Sequence, residues 1–171
     1  RMAEDCEGFG IPVLWLPHHH RPGIARNPIR EEIRKVGYEG SPQYITRWRP
    51  HIEAECQRIG AEFVVNPQRL ADVDVVLALR DAKGYAPRFW KSNVKLANAH
   101  GSGTPFIGCR ESGYIETASG AEYWADNPGE LRVALDWLKS QSAREQVADR
   151  FISAAYTIEQ AARKLREFLD V

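Results

Sequence analysis

The sequence predicts an α/β fold in which an open, parallel β-sheet is flanked by helices. Short apolar runs alternate with amphipathic, helix-like segments along the chain, which is typical of βαβ units. The strongest run, Asp72–Leu79, is almost continuously apolar, as expected for a parallel strand covered on both faces. The 171 residues suffice for one domain with a substantial core, whereas two full domains would be cramped.

The other strands are predicted from brief apolar runs that end at proline, glycine or asparagine. Because these residues interrupt regular structure, they fix where each run stops. In chain order the predicted strands are Ile11–Leu16, Val36–Tyr38, Glu62–Val65, Thr104–Gly108 and Glu122–Trp124.

The helices are predicted from apolar periodicity and from their end signals. Proline stands near several starts and glycine follows two of the ends, which are the positions these residues favour. The predicted helices are Ile29–Lys35, Pro50–Ile59, Phe89–His100, Gly129–Lys139, and one helix or a pair across Ser142–Leu169.

The composition argues against several classes of protein. The 23 basic and 23 acidic residues give a formal net charge of zero, unlike proteins that coat nucleic acid duplexes. No apolar run approaches the roughly 20 residues that span a bilayer, and the first residues lack a signal-peptide pattern. Three cysteines without metal-ligand spacing predict a reduced, cytoplasmic protein.

Ligands of open parallel sheets bind beyond the carboxyl ends of the strands. The loops at those ends are Glu39–Ile45, Arg80–Trp90 and Gly108–Glu116. We therefore expect the functional site to be built from these three loops.

The segment after the strongest strand carries a cationic stripe. If Phe89–His100 is one helix, Lys91, Lys95 and Asn98 lie on one face of it. Two lysines near a helix N-terminus suit a diphosphate, and the amide suits a sugar or ribose hydroxyl. The alternative is a solvated helix face with no ligand.

The turn from Glu111 to Glu116 is the second candidate. Gly113 permits close approach of the backbone to a ligand, or a positive φ, and Ser112 offers a hydroxyl. The backbone N–H groups up to Tyr114 could meet an oxyanion, and Glu116 could accept hydrogen bonds from vicinal hydroxyls. The alternative is a helix N-terminus that carries glutamate for capping.

Two weaker candidates complete the survey. The turn around Gly40 loosely resembles a phosphate-facing loop, although it is neither a GxGxxG motif nor a P-loop, and a plain loop that needs two glycines is the preferred explanation. The run His18–His20 invites a metal interpretation, but adjacent residues of an extended chain point to opposite sides and no further ligand lies at matching spacing. We therefore predict no metal site.

The whole pattern resembles the donor-binding half of the two-domain, GT-B-type glycosyltransferases. The matching segments are a lysine-bearing helix, a Gly-x-Pro break into a buried strand, and a Gly-x-x-Glu turn: Lys95–Ala99, Gly103–Ile107 and Gly113–Glu116. Val36–Gly40 resembles the first strand and glycine turn of that half, and Tyr156–Leu169 its closing helix. The resemblance covers residues 36–171.

This resemblance implies a Rossmann-like domain that binds a nucleoside-diphosphate sugar and transfers the glycosyl group to an unknown acceptor. Lys91 or Lys95 would face the diphosphate, and Glu116 or Asn98 the hydroxyls of ribose or sugar. The Ser112–Tyr114 backbone would lie near the phosphates or the donor sugar. The arrangement requires no metal and no cofactor, and it identifies no catalytic residue.

The sequence departs from the family in two respects. Many retaining members carry two glutamates at the positions occupied here by Trp90 and Asn98. The complete family fold also has two Rossmann-like domains, so an acceptor domain would come from elsewhere. The resemblance then divides the chain into a leading strand and linker (1–35), a donor-binding domain (36–152) and a closing helix (153–171).

Two other functions stay open at this point. A non-catalytic, Rossmann-like nucleotide-binding or assembly module would fit the absence of both glutamates. An epimerase-like nucleotide-sugar enzyme would also use such a fold, but no acid–base pair stands at the positions that it needs.

Overall fold

The computed structural model describes residue 6, residues 8–81 and residues 91–169. Within them, five parallel strands form one open sheet in the order β2-β1-β3-β4-β5. The fold is therefore Rossmann-like α/β, as predicted. The strands are β1 (Lys35–Tyr38), β2 (Glu62–Val65), β3 (Val75–Ala78), β4 (Phe106–Gly108) and β5 (Tyr123–Trp124).

Helices cover both faces of the sheet. Helix α1 contacts α4, helix α2 contacts α5, and α4 and α5 also contact each other. The helices are α1 (Arg49–Ile59), α2 (Val94–Ser102), α3 (Ser112–Ile115), α4 (Pro128–Leu138), α5 (Gln141–Ala154) and α6 (Ile158–Leu169), with 3₁₀ turns at Pro42–Ile45 and Leu70–Asp72. Among the described residues, none of these helices combines the length and the apolar character needed to cross a bilayer.

The helix ends follow from the sequence signals. Helix α4 begins after Asn127, whose side chain accepts a hydrogen bond from the backbone N–H of Glu130 at 3.0 Å. Helices α1 and α2 end at Gly60 and Gly103, whose φ angles of 73° and 70° are left-handed. Glycine is the residue that adopts this conformation at least cost.

The centre of the sheet is β3, and all four of its residues are buried. Val36 of β1 pairs with Val75, and Ala78 of β3 pairs with Gly108 of β4. The prediction that the most apolar run is covered on both faces is therefore confirmed. This register also brings the carboxyl ends of β1, β3 and β4 side by side at one edge.

The predicted strand at Ile11–Leu16 is wrong, since residues 12–20 form neither strand nor helix. Ile11 is 63 % exposed, and no neighbouring strand pairs with this segment. An apolar run becomes a strand only where a partner edge satisfies its backbone. The backbone of His18 instead donates its N–H to the Asn93 side chain at 2.9 Å.

The predicted helix at Ile29–Lys35 is also wrong. The backbone N–H groups of Arg34 and Lys35 both donate to the Asp74 carboxylate at 2.8 Å. The carbonyl groups of Arg30 and Glu31 accept hydrogen bonds from the buried guanidinium of Arg144 at 2.6 and 2.9 Å. These distant side chains take the backbone groups that a helix would have paired internally.

Helix α2 begins five residues later than predicted. It starts at Val94 with Asn93 at the N-cap position, so Lys91 precedes the helix. The prediction that Lys91, Lys95 and Asn98 share one helix face is therefore wrong for Lys91. Trp90, together with most of the loop Arg80–Trp90, lies outside the described residues.

Candidate functional site

A cavity of about 230 Å³ lies beyond the carboxyl ends of β1, β3 and β4. In this strand order the chain leaves β1 toward one edge of the sheet and leaves β3 toward the other, which opens a crevice between them. The cavity is lined by Tyr38, Gly40, Ser41, Tyr44, Ala78, Leu79, Arg80, Lys91, Ser92, Val94, Lys95, Glu111 and Tyr114.

The rim between β1 and β3 is held by hydrogen bonds between the two loops. The backbone N–H of Asp81 donates to the carbonyl of Tyr44 at 2.7 Å, and the Asp81 carboxylate accepts from the N–H of Arg47 at 3.1 Å. The indole of Trp48 donates to the carbonyl of Arg80 at 3.0 Å. These bonds fix Tyr44 and Arg80 next to one another along the cavity.

Lys95 projects from the first turn of α2 into the cavity. Its Nζ lies 4.6 Å from the centroid of the Tyr38 ring, a distance at which a cation is attracted to the ring face. Burial lowers the pKa of the Lys95 ammonium below its ordinary value, and Lys91 adds to this effect, although Glu111 and Glu39 oppose it. The cavity therefore holds a cation that is only partly stabilised by its protein surroundings.

Glu111 and Arg80 form a buried ion pair in the cavity wall. The Arg80 Nε donates to Glu111 Oε1, and the two side chains are 11 % and 4 % exposed. Lys91 and Lys95 line the same cavity, so the described lining residues include three cationic side chains and one carboxylate. The lining is positive on balance and suits an anionic ligand.

Two tyrosines form the apolar floor. Burial raises the pKa of Tyr38 to about 12, and the nearby Asp81 carboxylate contributes to the shift. Burial likewise raises the pKa of Tyr114, whose ring meets the Phe106 ring edge-on at a centroid distance of 5.3 Å. Both phenols stay neutral at ordinary pH and add no negative charge, and the Tyr38 hydroxyl donates to the carbonyl of Ser41 at 3.4 Å.

Gly40 shapes the cavity opposite Lys95. Its φ of 140° lies in a region that other residues rarely adopt, and its N–H donates to the Asn66 side chain at 2.8 Å. A Cβ atom at this position would lie 3.1 Å from the Tyr38 hydroxyl and 3.3 Å from Lys95 Nζ. A side chain here would therefore displace the ammonium.

Five of the nine predicted site residues line the cavity, and four do not. The five are Gly40, Lys91, Lys95, Glu111 and Tyr114. The other four, Asn98, Ser112, Gly113 and Glu116, lie outside its lining.

Asn98 has a different role in the structure from the predicted contact with a sugar hydroxyl. It is 5 % exposed, and its Oδ1 accepts a hydrogen bond from the backbone N–H of Arg21 at 2.9 Å. Helix α2 thus uses Asn93 and Asn98 to hold the irregular segment that runs from His18 to Arg21. Lys95, one turn before Asn98 on the same helix, lines the cavity.

The turn Glu111–Glu116 contributes its first part to the cavity. Gly113 does allow a close backbone approach, but to residues of the chain itself: a Cβ atom there would collide with the carbonyl oxygen of Lys91 and lie 3.1 Å from Asn93 N. Glu116 is exposed at the end of α3 and does not reach the cavity. The carboxylate at the cavity is Glu111.

Several lining residues were not among the predicted site residues. Tyr38, Ser41, Tyr44 and Arg80 stand directly at or after the ends of β1 and β3. The rule that parallel sheets bind ligands beyond their carboxyl ends had already directed attention to the loops that hold three of them. Tyr38 was not predicted, because an aromatic residue in a buried strand is expected to belong to the hydrophobic core.

The histidines His18–His20 make local contacts. Nδ1 of His19 lies 2.7 Å from the carbonyl oxygen of His20, and Nδ1 of His20 lies 3.0 Å from that of Arg21. Within residues 8–81 and 91–169, no three His, Cys, Asp or Glu side chains are grouped closely enough to hold a metal ion.

Comparison with solved structures shows a glycosyltransferase-like fold. The crystal structure of AviGT4, a glycosyltransferase involved in Avilamycin A biosynthesis, superimposes with a TM-score of 0.52 and 16 % sequence identity. The match covers 94 % of this chain and 59 % of the AviGT4 chain, so this chain spans well under two thirds of that protein's length. No family model and no curated protein sequence matches the chain.

Proposed function

We propose that this chain is the nucleotide-sugar donor-binding half of a GT-B-type glycosyltransferase. It binds a nucleoside-diphosphate sugar and, together with an acceptor domain, transfers the glycosyl group to an acceptor. The observation that carries the proposal is the cationic cavity at the crevice between β1 and β3, where Arg80, Lys91 and Lys95 converge.

The diphosphate is the part of the ligand that this cavity fits best. Lys95 is held in the cavity beside the Tyr38 ring, and Lys91 precedes the N-terminus of α2. The positive end of that helix adds to the field of the two ammonium groups. An incoming diphosphate would replace the water that the Lys95 ammonium lost on burial.

Catalysis follows from the same charges. When the glycosyl bond breaks, negative charge develops on the leaving diphosphate, and fixed cations lower the energy of that state. Lys91 and Lys95 supply the cations, and backbone N–H groups near Ser92 add neutral donors. No titratable group has to exchange a proton with the diphosphate in this scheme.

The donor's hydroxyl groups need a second set of contacts. Glu111 is the carboxylate among the described residues that line the cavity, and the neutral phenols of Tyr38 and Tyr114 line it too. We assign Glu111 rather than Glu116 to the neighbourhood of the sugar or ribose, because Glu116 is exposed outside the cavity.

A calorimetric titration tests the proposal. UDP, GDP and their glucose derivatives are titrated into the full chain and into Lys95→Ala. We expect binding with a Kd below ~1 mM to the unaltered chain and a loss of about tenfold in the variant. Absence of heat with all four ligands at millimolar concentration would reject nucleotide-sugar binding.

A non-catalytic binding or assembly module is the second candidate. It is favoured by Asn98, which stands where many retaining glycosyltransferases carry a glutamate. The Asn98 side chain instead accepts a hydrogen bond from the backbone N–H of Arg21. Such a module predicts binding of the nucleotide without hydrolysis or transfer of the donor sugar, even when an acceptor domain is supplied. An assay for released nucleoside diphosphate separates the two candidates.

A further inference from the structure

We propose that Lys95 is a nucleophilic amine that condenses with phosphorylated aldehydes, and that the resulting imine blocks the cavity to other ligands. The neutral amine adds to the aldehyde carbon, so that a C–N bond forms and the carbonyl oxygen takes up a proton. The carbinolamine then loses one molecule of water and leaves a C=N bond. This reactivity goes beyond nucleotide binding and does not depend on it.

The Lys95 ammonium contacts the ring of Tyr38. With residues 8–81 and 91–169 it forms neither a hydrogen bond nor an ion pair. The nearby carboxylates are engaged elsewhere, since Glu111 pairs with Arg80 and Glu39 lies 4.0 Å from an Arg21 nitrogen. Among the described residues, Lys95 therefore has no ion-paired carboxylate to hold the proton on its amine.

The surroundings of Lys95 also shift its amine toward the neutral form. Burial and the neighbouring Lys91 favour the neutral form, whereas Glu111, Glu39 and Cys109 favour the charged one, and the net effect is a lowered pKa. Tyr38, which lies against the amine, has a pKa raised to about 12 and contributes no charge near neutral pH. A larger share of Lys95 is thus the nucleophilic neutral amine than at an exposed lysine.

The amine of Lys95 also shares its cavity with other cationic side chains. Arg80 and Lys91 line the same cavity and attract a phosphate group, which would bring an attached aldehyde close to Lys95. The volume of about 230 Å³ is smaller than that of pockets for drug-sized ligands. It favours a compact molecule such as a three-carbon aldehyde phosphate.

Lys164 offers an internal comparison. Its Nζ lies 4.9 Å from the centroid of the Trp15 ring, so it too is a cation above an aromatic face. It stands on α6, away from the cavity and from its cluster of cations. A faster reaction at Lys95 than at Lys164 would therefore be caused by the cavity and not by the aromatic contact.

The test is selective labelling of the full chain with glyceraldehyde 3-phosphate. Sodium borohydride delivers hydride to the imine carbon and traps it as a secondary amine, and peptide mass spectrometry then measures modification at each lysine. We expect Lys95 to react about tenfold faster than Lys164, the effect of one favourable charge contact. Inorganic pyrophosphate should suppress labelling at Lys95 alone, and glyceraldehyde without phosphate should lose most of the preference.

Two results would overturn the proposal: equal labelling of Lys95 and Lys164, or a preference for Lys95 that neither pyrophosphate nor removal of the phosphate reduces. The variant Lys95→Arg, checked for folding by circular dichroism, should remove the preferred site. If that variant does not fold, the comparison of the two lysines in the unaltered chain decides. Selective labelling of Lys95 without nucleotide binding would reject the donor-site proposal and support the imine proposal. Nucleotide binding without selective labelling would support the donor site and reject the imine.

Discussion

The Nζ of Lys95 lies 4.6 Å from the centroid of the Tyr38 ring, where the first turn of α2 meets the carboxyl end of β1. These two residues are 57 positions apart in the sequence, and β3 lies between β1 and β4 in the sheet. The contact brings a cation to the crevice at which parallel sheets bind their ligands. The proposed anion-binding role of the cavity rests on this contact.

The first prediction concerns Lys95→Ala. We expect the affinity for nucleoside diphosphates to fall about tenfold, because one cation that contacts phosphate is removed. The melting temperature should change little, since the ammonium forms no ion pair with the described residues whose loss would leave a buried charge. Calorimetric titration and thermal unfolding measure the two quantities.

Lys139→Ala is the matched control, because that lysine is an exposed residue at the C-cap of α4, outside the cavity lining, and pairs with Asp136 at 3.0 Å. Its affinity for nucleotides should equal that of the unaltered chain. A large loss of stability in Lys95→Ala with unaltered affinity would instead assign Lys95 to the core.

The second prediction concerns the buried pair of Glu111 and Arg80. Glu111→Gln leaves the largely buried guanidinium without its carboxylate, and such losses cost about 3 kcal/mol in the free energy of unfolding. The exposed pair of Arg49 and Glu53 provides the comparison, since Glu53→Gln should cost no more than ~0.5 kcal/mol. Urea denaturation of the two variants gives both values, and equal costs would contradict the buried character of the cavity wall.

The third prediction is the pH dependence of ligand affinity. Only the protonated Lys95 attracts phosphate, and burial lowers the pKa of this group. Affinity for pyrophosphate should therefore be complete at the lower pH values and decline as the pH rises through that lowered pKa, earlier than for an ordinary lysine. Lys95→Arg should remove this decline, because arginine stays charged throughout. Identical pH profiles for both proteins would show that another group controls binding.

The fourth prediction concerns Glu122, whose side chain is buried. Its carboxylate lies 2.7 Å from Nε2 of His100 and accepts a hydrogen bond from the backbone N–H of Ser119 at 2.8 Å. Burial by itself would raise the pKa of Glu122, but these hydrogen bonds outweigh it and hold the pKa at about 2, below the ordinary 4.5.

A depressed carboxyl pKa contributes stability above pH 4.5 that is lost as the pH falls toward 2. The contribution is roughly 3 kcal/mol on the scale of 1.4 kcal/mol for each pKa unit. Glu122→Gln should therefore be less stable than the unaltered chain at pH 7, with a gap that narrows at pH 3. Urea denaturation at both values measures the gap, and a gap that does not depend on pH would refute the assignment.

The fifth prediction concerns Gly113→Ala. The new methyl group would collide with the backbone of residues 91–93, which must then shift together with the Lys91 side chain. We expect a loss of about 2 kcal/mol in stability and a weaker affinity for nucleotides. Gly8→Ala is the control, since a Cβ atom there meets nothing within 4 Å. Equal stability of the two variants would contradict the close packing of α3 on the segment before α2.

The sequence predicted those features that depend on local pattern. The strand Glu62–Val65 was predicted with its observed bounds, because an apolar run there is closed by Asn66 and Pro67. The end of α1 followed from Gly60, whereas α2 runs past its predicted end at His100 and stops at Gly103. The three loops at the carboxyl ends were predicted to be near one another because parallel strands end at the same edge, and each contributes residues to the cavity.

Features that depend on distant partners could not be predicted in this way. The segment Ile11–Leu16 has the composition of a strand, but whether a strand forms depends on a free edge elsewhere in the sheet. Asn98 has the spacing of a cavity residue, yet it turns to the backbone of Arg21, 77 positions away. Helical periodicity defines the faces of α2 but not which neighbour covers each face.

The most direct test of the proposed donor site is a crystal structure of the full chain with UDP. We expect the diphosphate to lie in the cavity between β1 and β3. A phosphate oxygen should lie ~2.8 Å from Lys95 Nζ, the usual length of a charge-assisted hydrogen bond. Binding of the nucleotide elsewhere on the surface, with the cavity around Tyr38 and Lys95 left without the diphosphate, would contradict it.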